Sequence, residues 1–83
     1  MSGNPLRSLS TKNIVSFLIA HGFKAGRTTG DDTVYYLPGE YNWGVKVTLN
    51  RAITPIGTVS SIIRSSRISK AKWVDWFTRE RNS

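Results

Sequence analysis

The apolar residues of this chain recur first at the spacing of a helix. Ile14, Phe17, Leu18 and His21 share one side of a 3.6-residue repeat, and Val15 and Ile19 widen the stripe. Ser10 or Thr11 is placed to cap that helix, and Gly22 to end it, because glycine accepts the left-handed conformation that closes a helix. Beyond Gly22 the period shortens to two. Residues 23–29 read as a first strand weakened by Gly26, and residues 33–37, with Thr, Val and two Tyr, as a second. Gly30-Asp31 between them is a hairpin turn signal, and alternation buries one of Tyr35 and Tyr36. Residues 38–42 read as a connection. Residues 43–49 read as a third strand, with Val45, Val47 and Leu49 on one face and Lys46 and Thr48 on the other. After a loop over residues 50–53, Thr54 as N-cap and Pro55 as first helical residue open a second helix, with Val59, Ile62 and Ile63 as its buried stripe. Ser69 caps a last helix, in which Trp73, Trp76 and Phe77 form a packing face at i, i+3, i+4.

The order α-β-β-β-α-α predicts a two-layer α+β fold, a three-stranded antiparallel meander with helices on one face. Residues 10–79 form its single domain, with tails at residues 1–9 and 80–83. At 83 residues the chain is near the lower size at which one core is stable without staples. It has no cysteine, so disulfides and Cys-based metal sites or nucleophiles are excluded. No apolar run is long enough to span a membrane, and MSGNPLRSLS lacks the apolar stretch of a signal peptide. These features predict a cytoplasmic protein.

Charge narrows the partner. The net charge is +7, and residues 42–83 hold eight of the twelve Lys and Arg against two of the five Asp and Glu. A one-sided basic surface favours a polyanion, because each neutralised phosphate releases counterions. A nucleic acid is therefore the expected partner, and an acidic protein is the other class that suits such a face.

Several segments resemble, in joint order, the HicA family of messenger-RNA interferases from toxin-antitoxin pairs. Ala20-His21-Gly22-Phe23 is similar to the end of the family's first helix. Gly30-Asp31-Asp32-Thr33-Val34-Tyr35-Tyr36-Leu37-Pro38 resembles its signature, which runs into an aromatic strand ending in proline. Val45-Lys46-Val47-Thr48 is similar to its third strand, and Pro55-Ile56-Gly57-Thr58 to the opening of its second helix. The resemblance covers roughly residues 11–77 and implies a double-stranded-RNA-binding-like fold, a metal-independent endoribonuclease activity and an antitoxin-like acidic partner. The family's signature histidine falls on Asp32, so catalysis is an open question for this chain.

If the chain cleaves RNA, Asp32 is the candidate base. It is a weaker base than histidine, with an ordinary pKa of about 3.9. Arg27 or Lys46 would then offset phosphate charge. The competing reading has Asp31 and Asp32 shaping a turn. A metal nuclease fits poorly, since neighbouring residues of an extended chain point to opposite faces and no third acid stands nearby; no metal and no cofactor are expected. His21 reads as a helix-end packing residue. For binding, the start of the second helix offers free N–H groups with Thr54, Gly57 and Thr58. Lys46, Arg51, Arg64, Arg67, Lys70 and Lys72, with Arg27, form the expected basic band for duplex RNA. Tyr41 and Trp43 are the stacking candidates for unpaired bases.

Overall fold

In the computed structural model, which describes Leu6 and residues 9–82, the elements are α1 (Thr11–Ala20), β1 (Lys24–Thr29), β2 (Asp32–Leu37), β3 (Glu40–Thr48), α2 (Ile56–Ser66) and α3 (Lys70–Asn82). The strands form one antiparallel sheet in the order β1-β2-β3. The fold is the α+β meander in the order that the change of period predicts.

Local chemistry sets the ends of α1. Ser10 Oγ accepts from the Asn13 N–H, and Asn13 Oδ1 accepts from the Ser10 N–H, a reciprocal capping box. At the other end Gly22 adopts φ +92°. There the Phe23 N–H donates to the Leu18 carbonyl at 2.9 Å, and the Gly22 N–H to the Ile19 carbonyl at 3.1 Å. This is a Schellman closure, and its hydrophobic contact is supplied by Leu18 and Phe23, both core residues.

Both hairpins use two-residue loops. Gly30 has φ +60° at the first central position, and Gly39 has φ +93° at the second, after Pro38. These suit type II′ and type II turns respectively. The tightness of the loops moves two expected boundaries. β2 begins at Asp32, which is a strand residue and not a turn residue. β3 begins at Glu40, ahead of the expected residue 43, because Leu37 pairs directly with Glu40 and residues 41–44 bulge opposite Tyr36.

The second helix also starts later than its sequence suggests. Pro55 has φ −55° but an extended ψ of 142°, so it stands at the N-cap, and no side chain caps the helix. Thr54, expected as the cap, is 3% exposed, and its N–H donates to the Leu9 carbonyl at 2.7 Å. α3 continues through Asn82, so residues 80–82 are helical and do not form a separate tail.

The core lies between the helices and one face of the sheet. Phe17 is its centre, stacked on Trp73 with centroids 3.7 Å apart and planes at 19°, and flanked by Phe77 and the edge of Trp76. Tyr35, Val45 and Val47 meet Val59 and Ile62 from the sheet side. Leu6 and Leu9, at 1% and 2% exposure, also belong to the core, so two leucines of the segment read as a tail are packing residues. The rest of those tails, residues 1–5, 7, 8 and 83, lies outside the described residues. Among the described residues no helix is long and apolar enough to cross a membrane.

Candidate nucleic-acid interface

The helices cover one face of β2 and β3 and leave the other open, while β1 at the edge is exposed throughout. Thr33, Tyr35, Val45 and Val47 are buried on the covered side. Strict alternation therefore sends Asp32, Val34 and Tyr36 of β2, with Lys46 and Thr48 of β3, to the open side. Register completes that face: Asp32 pairs with Thr48 and Thr29, Val34 with Lys46, and Tyr36 with Lys24. Between Ala25 and Thr28 the β1 register slips, so that Gly26 and Arg27 together oppose Val34.

Two glycines let the open face lie flat. A Cβ on Gly44 would stand 2.6 Å from Val34 Cγ1, and one on Gly26 would stand 2.9 Å from the Tyr36 ring. Val34 thus lies across β3 and Tyr36 across β1, with backbone beneath each. Tyr36 is tilted against Tyr41, with ring centroids 5.1 Å apart, and Tyr41 is 71% exposed. The result is an apolar and aromatic strip, Val34, Tyr36 and Tyr41, with exposed Lys24, Arg27 and Lys46 on the flanking strands. Paired aromatic surface among cations is the chemistry that stacks bases and neutralises the phosphates between them.

Asp32 stands at one end of this face. Its Oδ1 accepts from Thr48 Oγ1 at 2.8 Å. The Thr48 carbonyl accepts in turn from Thr11 Oγ1 at 2.7 Å, and Thr11 Oγ1 accepts from the Arg51 N–H at 3.0 Å. Asp31 contributes only its carbonyl, which accepts from the Leu49 N–H at 2.6 Å. Asp32 therefore ties β2 to β3 at the point where the chain leaves the sheet. It is half-buried and shares the open face with Lys46, its diagonal neighbour across the strands.

The expected basic band is divided. Lys46 and Arg27 belong to the sheet. Arg51 sits in the loop after β3, held by its backbone to Thr11 of α1, and in the first turn of α2 Gly57 is exposed and Thr58 half-buried. Thr54 is buried and presents nothing to a ligand there. Arg64 and Arg67 lie at the far end of α2, about 12 and 16 Å along its axis from Ile56. Lys70 and Lys72 are two residues apart on α3 and so diverge by roughly 160° around it. Trp43, expected as a stacking residue, is already committed. The Arg67 guanidinium lies 4.3 Å from the ring centroid, Phe23 meets the ring edge-on at 5.9 Å, and Nε1 donates to Glu40.

Sequence reasoning missed Lys24 and Tyr36 as partners of Tyr41 and Lys46. Alternation from Val45 and Val47 assigns Lys46 its face, but only cross-strand register brings Lys24 and Tyr36 beside it. Comparison of the chain with protein-family models, with curated proteins and with solved structures finds no match.

Proposed function

We propose that this protein is an RNA-binding domain, HicA-like in the order of its elements, that holds unpaired RNA against the open face of its sheet. The observation that carries this reading is the pairing of half-buried Tyr36 with exposed Tyr41 among Lys24, Arg27 and Lys46 on a face that no helix covers. Duplex RNA is bound mostly through phosphates and 2′-hydroxyls along a continuous basic surface, and the division of the helix-borne cations favours single strands over duplexes. The primary role assigned to Asp32 is to pair β2 with β3 through Thr48. Cleavage by Asp32, as a metal-independent endoribonuclease, is the alternative that the HicA resemblance keeps in play.

The test is binding of a labelled single-stranded oligoribonucleotide and of a duplex, by anisotropy over a salt series. Tyr36→Ala and Tyr41→Ala are each expected to weaken single-strand binding by about 1–3 kcal/mol. Lys46→Ala is expected to lower the salt slope by about 1. Unchanged affinity in all three variants would remove the sheet face from consideration, and preferential capture of an acidic protein over RNA would replace the partner. Cleavage of the oligonucleotide by wild type, lost in Asp32→Ala and kept in Asp31→Ala, would turn the binding reading into a nuclease reading.

A further inference from the structure

Away from the sheet residues described above, the end of α1 and one face of α3 form a small pocket lined by His21, Lys72, Asp75, Trp76 and Arg79. The α3 residues recur at i, i+3, i+4 and i+7, so one face of the helix presents them together. His21 enters from the end of α1. Its ring stacks on Phe17 with centroids 4.0 Å apart and meets Trp76 at 5.6 Å. Nδ1 lies 2.8 Å from the Phe17 carbonyl. A carbonyl only accepts, so Nδ1 carries the hydrogen and donates it, and Nε2 is the ring nitrogen left for a ligand.

Two features go beyond a solvated helix face. The Trp76 Nε1–H is buried and has no acceptor among the described residues, although buried donors are nearly always paired. Among the described residues Arg79 is held only by Asp75, at 3.1 Å, with side chains 79% and 60% exposed. A surface pair of that kind contributes little and exchanges readily for a better acceptor.

We propose that this pocket binds a phosphate monoester or inorganic phosphate. Arg79 and Lys72 supply charge, with Arg79 able to grip two oxygens of one phosphate. Trp76 Nε1–H, buried in the free protein, gains the acceptor it lacks when its ring turns toward the ligand, and His21 completes the pocket wall. Asp75 selects among anions. Its carboxylate repels a fully ionised ligand but accepts from a protonated phosphate oxygen, which neither an internal phosphodiester nor a carboxylate carries. The ligand is accordingly a terminal or free phosphate, and the site is independent of RNA binding on the sheet.

The test follows the Trp76 indole and His21 ring resonances of the full chain by NMR during titration. The probes are inorganic phosphate, acetate at matched ionic strength, and one short oligoribonucleotide with either a 5′-phosphate or a 5′-hydroxyl. Phosphate is expected to move both resonances to saturation, and Lys72→Ala/Arg79→Ala to weaken that response at least about tenfold. Both changes are on exposed side chains, and the buried Trp73 indole resonance reports that the fold persists. A response to the 5′-phosphorylated strand but not to its 5′-hydroxyl twin would assign RNA ends as the source. A response to inorganic phosphate alone would assign a small phosphate. The proposal is overturned if phosphate acts no differently from acetate, if the double variant responds like wild type, or if the 5′-hydroxyl strand shifts Trp76 equally.

Discussion

Arg67 shows how one residue balances two opposing terms. It closes α2 in the left-handed conformation, φ +62°, which is unfavourable for a residue with a Cβ by roughly 1 kcal/mol. Its guanidinium also lies over Trp43, which returns about 0.5–1 kcal/mol at an exposed site. Arg67→Gly relieves the first and loses the second, so its stability is expected to stay within about 0.5 kcal/mol of wild type. Arg67→Ala keeps the strain and loses the contact, and is expected to be less stable than the glycine variant by about 1 kcal/mol. Urea midpoints at equal m-value distinguish the two. In the sequence Arg67 reads as one cation of a basic band, because nothing local says that Trp43, twenty-odd residues away, lies beneath it. Asp32 is a similar case. Its position in the Gly30-Asp31-Asp32 run is legible, while its bond to Thr48 depends on which residue of β3 stands opposite.

The joint between α2 and α3 depends on a hydroxyl. Ser66 is 1% exposed, donates to the Ile63 carbonyl at 2.7 Å, and accepts from the Ile68 N–H at 3.2 Å and from Trp73 Nε1 at 3.3 Å. Ser66→Ala removes one donor and strands two others in the core. It is expected to lower stability by about 1–3 kcal/mol, read as a loss in thermal midpoint by tryptophan fluorescence. Ser65→Ala, one position earlier and exposed, is expected to change little. The helical stripe Val59, Ile62, Ile63 and the aromatic face Trp73, Trp76, Phe77 were both legible, since burial of an amphipathic helix follows its period. Ser66 was not, because a serine in a run of serines carries no sign of the indole that seeks it. The ends of β3 and α2 shifted for a comparable reason. Turn and cap residues state that a boundary exists, but pairing across the sheet and the burial of Thr54 decide where it falls.

At the scale of the whole molecule, the core is completed by residues outside its regular elements. Leu6 and Leu9 close it below α1, and the Leu9 carbonyl accepts from the Thr54 N–H, joining the start of the chain to the entrance of α2. Leu9→Ala is expected to cost about 2–5 kcal/mol, a large share of the stability of so small a domain. Chemical denaturation of this variant beside wild type measures it, and a change below about 0.5 kcal/mol would show that the segment is dispensable. The charge of +7 likewise has a different meaning in three dimensions. Among the described residues, cations lie on the open sheet, at the loop end, at the far end of α2 and along α3, on elements that the sequence alone cannot set in space.

Period and capping chemistry in the sequence by themselves determined the class of fold, the order of its six elements, the Gly30-Asp31 hairpin turn and most of the faces that would be buried. These are local properties, expressed within a few residues by the spacing of apolar side chains and by glycine at positive φ. Only the tertiary structure decided which residues share a surface. Register set Lys24, Arg27 and Lys46 around Tyr36 and Tyr41, and helix docking brought His21 of α1 against Trp76 of α3. Such neighbours lie far apart in the chain, and their meeting depends on how strands pair and helices pack, which no local pattern records.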